Sequence, residues 1–145
     1  MIRPTRYSLR SVLAILLAVG GITLLPVSSA SATVDPDCST RPGGPLMLWW
    51  GQSYTGAHIC LQDNVWDMAN PATYFPDNGT GRGEQVWDNV ASAANADTMY
   101  CAIIWSEPGW QGSRADINKS GFEGSARWNL ADVTNRNSSL SWYGC

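Results

Sequence analysis

The sequence predicts an all-β fold, an antiparallel sandwich built from two copies of one motif. The first copy runs from Trp49 to Gly56 and the second from Trp105 to Gly112. In both, an aromatic residue is followed five positions later by another and two later by glycine, and all three positions recur at an offset of 56 residues. A fixed offset across three positions indicates an internal duplication. Short apolar runs separated by Gly, Pro, Asn and Ser favour strands.

Each copy is predicted to be a hairpin. In the first, an apolar strand at about 46–50 leads into a Gly/Ser-rich bend, and Gly56, which can take positive φ, precedes a return strand at about 57–62. Trp49 and Trp50 are adjacent, so they face opposite sides of the strand and only one of them belongs to the core.

The other elements follow from composition and punctuation. Asp63 or Asn64 is a suitable N-cap for a short helix that Pro71 would end. In chain order we expect an irregular arm over 33–45, the helix over 63–70, a loop over 74–83, a second hairpin from 98–101 to about Ile117, a buried Trp128 and a last strand over 138–143.

The first 32 residues predict a secretory signal peptide. A basic head with Arg3, Arg6 and Arg10 precedes an apolar run over 12–27, and Ala30-Ser31-Ala32 resembles a cleavage site. The run is short and interrupted for a bilayer span. We therefore expect secretion of an arm over 33–45 and one domain over 46–145, with repeats at about 46–97 and 98–145.

The charge of the mature chain excludes some partners. Cleavage after Ala32 removes three arginines and leaves six basic residues against twelve acidic ones, a formal charge of −6. A chain this acidic has no basic patch for nucleic acid or an anionic membrane. We expect a monomer that binds neither.

All four cysteines lie in the mature part. An even number in a small exported chain predicts two disulfides. Four cysteines allow three connectivities, and the sequence does not choose among them. We favour one bridge per repeat, Cys38–Cys60 and Cys101–Cys145.

A polar loop follows each hairpin. The loops are Trp87–Ala93 and Thr134–Ser139, each with Asp or Asn near its start and Ser further on. Such side chains bond nearby backbone, so one interpretation is a turn. Carboxylate, amide and hydroxyl oxygens are also calcium ligands, and a calcium site is the other interpretation.

Together the hairpin motif and a loop of the type (Asn/Asp)-(Asn/Asp)-x-x-(Ser/Thr)-Ser resemble the βγ-crystallin Greek-key motif, present twice over about 38–145. The resemblance implies two Greek keys packed face to face. It implies calcium ligands at Asp88, Asn89 and Ser92 in the first loop and at Asn135 and Ser138 in the second. Ala93 replaces a final Ser, Thr134 replaces a leading Asn or Asp, and the second loop has no carboxylate; lost charge weakens calcium affinity.

The stretch Cys101–Gly112 and the Trp87 loop resemble more narrowly a family of secreted actinobacterial peptidase inhibitors, typified by the Streptomyces metalloproteinase inhibitor. The resemblance implies inhibition of an extracellular peptidase, with metallopeptidases as one class, by a rigid loop that occupies the cleft. By our count the first repeat has ten extra residues, which we assign to the 74–83 loop, and enlarged loops often bind partners. Its candidate contact residues are Tyr74, Phe75, Asp77, Asn78 and Arg82.

The alternative function is a calcium-stabilised structural module, or one that binds glycans or the cell surface, without inhibitory activity. Exposed indoles are stacking platforms, and Trp50 and Trp66 are the tryptophans that we expect to be exposed. Catalysis is not expected, because the single His58 shares a strand with Cys60 and the acids are scattered. Calcium is the one cofactor that the residues suggest.

Overall fold

The structure of the protein is a computed structural model that describes residues 34, 35, 38, 43–76 and 79–145, with only the backbone of Val34 and Asp35. The predicted signal peptide lies outside these residues. The described part contains eight strands in two antiparallel sheets, and its only helices are the short 3-10 turns Gln52–Tyr54 and Ala131–Val133. The predicted all-β antiparallel sandwich is confirmed.

The strands are β1 Val34–Asp35, β2 Leu46–Trp49, β3 His58–Leu61, β4 Ser92–Asn95, β5 Tyr100–Glu107, β6 Gln111–Ile117, β7 Ala126–Arg127 and β8 Ser139–Gly144. One sheet has the order β1-β3-β2-β4-β7 and the other the order β6-β5-β8. Strand β1 pairs with β3, so the predicted arm adds a strand to the first sheet.

Both predicted hairpins are present. Strand β2 pairs with β3, and β5 pairs with β6. Gly56 and Gly112 both take positive φ, at 82° and 80°. A Cβ on Gly56 would lie 2.7 Å from the Thr80 carbonyl oxygen, and one on Gly112 would lie 2.3 Å from the Ser106 hydroxyl. These positions therefore require glycine for both conformation and space.

In each repeat, the segment that follows the two hairpin strands, here called the third segment, crosses to the sheet of the other repeat. Strand β7 of the second repeat pairs with β4 of the first. In the opposite direction, Val65 forms an isolated bridge with Leu140 in β8, with both N–H···O distances at 2.9 Å. The two repeats are therefore interlocked.

This crossing explains why the predicted helix over 63–70 is wrong. The Val65 carbonyl oxygen, which a helix would pair with the Ala69 N–H, accepts instead from the Leu140 N–H across the sheet at 2.9 Å. The Asp67 carboxylate accepts a bond from the N–H of Ala69 at 2.9 Å and closes a turn instead. Tertiary pairing outweighs the local helix signal.

Buried side chains of both sheets form one core. Alternation places Leu46 and Leu48 inside, and Ala102 and Ile104 occupy the corresponding positions 56 residues later. Trp50 is half-buried: it packs against this core, and a Cβ on Gly81 would lie 2.1 Å from its ring, so it is less exposed than expected. The 79–83 segment covers it.

Both disulfides of the favoured connectivity are present. Cys38 is bonded to Cys60 and Cys101 to Cys145, with Cα–Cα distances of 5.3 and 5.8 Å. The first ties the arm to β3, and the second ties the end of the chain to β5. Two disulfides are typical of an oxidising, extracellular environment. No helix of the described residues is long and apolar enough to cross a membrane.

Candidate functional site

The two predicted calcium loops meet at a local pseudo-twofold. The N–H of Asp88 donates to the Asn137 carbonyl oxygen at 2.9 Å, and the N–H of Asn135 donates to the Val90 carbonyl oxygen at 2.9 Å. Asp88 and Asn135 both have positive φ, at 56° and 51°. They are 47 residues apart, as are Val90 and Asn137, so each residue has a counterpart in the other loop.

The hydrogen bonds correct the alignment of the loops. The hydroxyl of Ser92 accepts from the Tyr54 N–H at 3.0 Å and donates to the Gly51 carbonyl oxygen at 2.6 Å. The corresponding bonds in the second repeat, to the Trp110 N–H at 3.1 Å and the Glu107 carbonyl oxygen at 2.7 Å, belong to Ser139. The counterpart of Ser92 is therefore Ser139, so the predicted equivalence of Ser92 and Ser138 is wrong.

This alignment changes two earlier conclusions. With offsets of 56 residues in the hairpins and 47 in the loops, the first repeat has nine extra residues and not ten. Ser138 now corresponds to Ala91, which has no side-chain oxygen. Ser92 and Ser139 occupy the final Ser of the loop pattern, where both hydroxyls fasten the adjacent hairpin bend.

The Asp88 carboxyl of the first loop lies beside the Ser138 hydroxyl of the second loop. Burial raises the pKa of the Asp88 carboxyl above its usual 3.8, while the Arg136 guanidinium and the Ser138 hydroxyl partly offset that rise. The Ser138 hydroxyl also donates to the Ser106 carbonyl oxygen at 3.0 Å and accepts from the Trp87 indole N–H at 3.0 Å. The Ser138 hydroxyl thus links the Trp87 indole to the Ser106 backbone beside the Asp88 carboxyl.

These residues fit calcium poorly. At the Asp88 position, the nearby Arg136 guanidinium already supplies the positive charge that a calcium ion would bring. At the pseudo-equivalent position Asn135 replaces the carboxylate and Ala91 replaces the hydroxyl. Asn89 is turned to the Trp87 carbonyl oxygen, to which its amide donates at 3.2 Å. Across the described ranges, no group of three His, Cys, Asp or Glu side chains is placed to hold a metal.

The buried side-chain amide of Asn137 holds the two loops together. The Oδ1 of Asn137 accepts from the Val90 N–H at 2.9 Å, and its Nδ2 donates to the Val86 carbonyl oxygen at 2.9 Å. Asn137 is fully buried. The meeting point of the loops is therefore a built polar junction whose groups are satisfied within the chain.

The candidate inhibitory residues have different environments. Tyr74 is 50% exposed and Arg82 is also exposed. Phe75 is 1% exposed and belongs to the core, so it does not contact a partner, and that prediction is wrong. Asp77 and Asn78 lie outside the described residues.

A groove around Trp128 was not expected from the sequence, which predicted that this residue is buried. Trp128 is 62% exposed and directly follows the exposed two-residue strand β7, so that prediction is wrong. A groove of about 660 Å³ is lined by Trp128 together with Asn118, Glu123, Arg127 and Asn129. No residue pattern near Trp128 indicates this groove, because the exposure of Trp128 depends on the pairing of β7 with β4. The single histidine, His58, stacks on Trp49, with ring centroids 6.0 Å apart.

Comparison with known proteins places the fold. No family model matches the sequence, and no curated protein matches it. A solved domain from work on the evolution of the eye-lens βγ-crystallin fold is 17% identical, with a TM-score of 0.56 over 79% of this chain and 99% of that one. A βγ-crystallin from Ciona intestinalis is 14% identical, with a TM-score of 0.48 over 69% and 100%. A mutant βγ-crystallin domain from Clostridium beijerinckii is 14% identical, with a TM-score of 0.48 over 68% and 96%.

The first of these matches is the informative one, because its TM-score is above 0.5 and it is matched over nearly its whole length. An identity of 17% supports the fold and no activity. None of the matches points to the peptidase inhibitor family. The chain has the βγ-crystallin fold.

Proposed function

We propose that the protein is an exported, non-catalytic inhibitor of an extracellular peptidase, which it contacts through the 74–85 loop. The observation that carries the proposal is the way this loop is fastened. It lies between Gly56 and Ser92, the stretch in which the first repeat is longer than the second, and backbone bonds close its base and tie its centre to the first hairpin.

The base of the loop is closed by backbone pairing. Tyr74 forms a bridge with Gln85. The N–H of Phe75 donates to the Glu84 carbonyl oxygen at 3.0 Å, and the N–H of Gly83 donates to the Phe75 carbonyl oxygen at 3.0 Å. The buried Phe75 side chain anchors this base in the core.

A second tie lies further along. The N–H of Ala57 donates to the Thr80 carbonyl oxygen at 2.8 Å, and Gly81 lies against the Trp50 ring. A loop held in this way loses little conformational entropy when it binds, and a peptidase has to break these bonds before it can deform the backbone for cleavage. Tyr74 and Arg82 remain exposed as side chains that a peptidase can contact.

Titration of the mature, oxidised protein against secreted metallo-, serine and cysteine peptidases tests the proposal. We expect stoichiometric inhibition of one class. Tyr74→Ala and Arg82→Ala should weaken it, whereas Tyr143→Ala, which removes an exposed tyrosine from β8, should not. Full peptidase activity across the panel in the presence of intact protein would contradict the proposal. Equal loss with the Tyr143 variant would place the contact elsewhere.

A further inference from the structure

The pseudo-twofold relates two exposed tryptophans, Trp66 and Trp128. The Trp66 carbonyl oxygen accepts from the Gly109 N–H at 2.8 Å, and the Trp128 carbonyl oxygen accepts from the Ser53 N–H at 2.8 Å. Gly109 and Ser53 are 56 residues apart, so the two tryptophans hold the same place beside opposite hairpin bends. Their exposures are 61% and 62%.

Packing accounts for Trp66 and does not account for Trp128. The Trp66 ring meets Trp110 edge to face, with centroids 5.0 Å apart, and a Cβ on Gly109 would lie 3.0 Å from it. Trp66 therefore caps the hairpin bend. Among the described residues, none of the ring–ring contacts involves Trp128, which forms a wall of the groove.

The rim of this groove offers both donors and acceptors. Arg127 lines the groove and uses its Nε–H on the Asp116 carbonyl oxygen at 3.3 Å, a bond that does not involve its terminal nitrogens. Asn129 accepts at Oδ1 from the Ala131 N–H and the Thr134 hydroxyl, both at 2.7 Å, which leaves its NH₂ end as the donor. Glu123 supplies an exposed carboxylate.

This mixture narrows the chemistry of a ligand. A wholly apolar ligand would cover Arg127 and Glu123 without giving them partners, which costs free energy. An anion would meet Glu123, and a cation would meet Arg127. A neutral polyhydroxylated ring satisfies both, because each hydroxyl donates and accepts, and its C–H face packs on an indole. The groove volume of about 660 Å³ suits a ligand of this size.

We propose that the groove beside Trp128 binds a neutral oligosaccharide, with one pyranose ring stacked on the indole and its hydroxyls bonded to Arg127, Asn129 and Glu123. This site is separate from the 74–85 loop and does not depend on peptidase inhibition. It would hold the protein on a polysaccharide surface.

Isothermal titration of the mature, oxidised protein with cellohexaose, xylohexaose and hexameric N-acetylglucosamine tests this, with oligogalacturonate as an anionic comparison. We expect at least one neutral oligosaccharide to bind. Trp128→Ala should weaken binding roughly tenfold or more, as loss of a main aromatic contact does. Trp66→Ala is the matched control, since its exposure is the same, and it should leave affinity within about twofold.

Variants of the rim check the assignment if the Trp128 variant unfolds. Arg127→Ala and Glu123→Gln change exposed side chains only, and each should weaken binding while the circular dichroism spectrum stays unchanged. Absence of binding by every neutral oligosaccharide at millimolar concentration would overturn the proposal. So would preferential binding of oligogalacturonate, or equal losses for the Trp66 and Trp128 variants. Peptidase inhibition should be unchanged in the Trp128 variant, so the two proposals fail separately.

Discussion

The two repeats share a chain path but differ in how they are held together. In the second repeat the hairpin strands β5 and β6 have eight and seven residues, whereas β2 and β3 have four each. The third segment of the first repeat is reduced to the single Val65–Leu140 bridge. The first repeat has extra cover instead, from the disulfide-bonded arm and the 74–85 loop.

This difference indicates that the scaffold tolerates loss of strand pairing where other segments cover the same core. In the first repeat the insertion covers Trp50. In the second, long strands leave the space around β7 open, and the groove at Trp128 lies there. Structural cover and open surface are thus distributed unequally over two copies of one motif.

A large effect is expected where a polar residue of one repeat faces an apolar residue of the other. Asn137→Val gives the second loop the residue that Val90 is in the first. It leaves the Val90 N–H buried without a partner, at a cost of about 1–3 kcal/mol, and it removes one of the two bonds that the Val86 carbonyl oxygen accepts, which then keeps only the Asn89 N–H. Urea unfolding should show this loss. Asn89→Ala removes a single hydrogen bond that is exposed to solvent, so it should lose much less stability. Equal losses of stability in the two variants would contradict the role of Asn137.

The disulfides give the next effect, and they differ between the repeats. Loop-closure entropy predicts a loss of about 4.0 kcal/mol for replacing Cys101 and Cys145 by serine, with a separation of 44 residues. Replacing Cys38 and Cys60, with a separation of 22, should lose about 3.4 kcal/mol. Guanidinium unfolding measures both. A larger loss of stability for the Cys38 and Cys60 replacement than for the Cys101 and Cys145 replacement would mean that the arm stabilises the first sheet beyond its cross-link.

A smaller effect distinguishes Asp88 from its counterpart Asn135. Because burial raises the pKa of the Asp88 carboxyl, the folded protein loses stability as pH rises from 3.8 through the folded pKa, and the loss remains at neutral pH. Asp88→Asn should therefore raise the melting temperature at pH 7. The gain should vanish below pH 3.8, where both states are protonated. A gain that is unchanged at low pH would assign it to backbone preference at positive φ alone.

The smallest effect is expected from calcium. With Arg136 beside Asp88, and with Asn135 and Ala91 at the other position, millimolar calcium should leave the melting temperature of the oxidised protein essentially unchanged. Differential scanning calorimetry with calcium and with a chelator measures this. A rise of several degrees that Asp88→Ala removes would restore the loop as a calcium site and make Arg136 a residue that moves aside.

The hairpins were predictable because their signals are local: apolar runs, a bend, and a glycine at a fixed offset. The loop register was not, because Ser138 and Ser139 are adjacent and only their hydrogen bonds show which one matches Ser92. The burial of Phe75 and the exposure of Trp128 depend on which segment crosses to which sheet. No residue pattern near either position carries that information.

The crossing of the third segments also bears on how such a molecule arises. A single repeat on its own would have a sheet that lacks the segment received from its neighbour, and a segment of its own with no sheet to join. One copy would therefore complete itself only by exchanging segments with another, as a symmetric dimer. Fusion of the two genes would make that exchange intramolecular, independent of protein concentration, and would free each half to diverge.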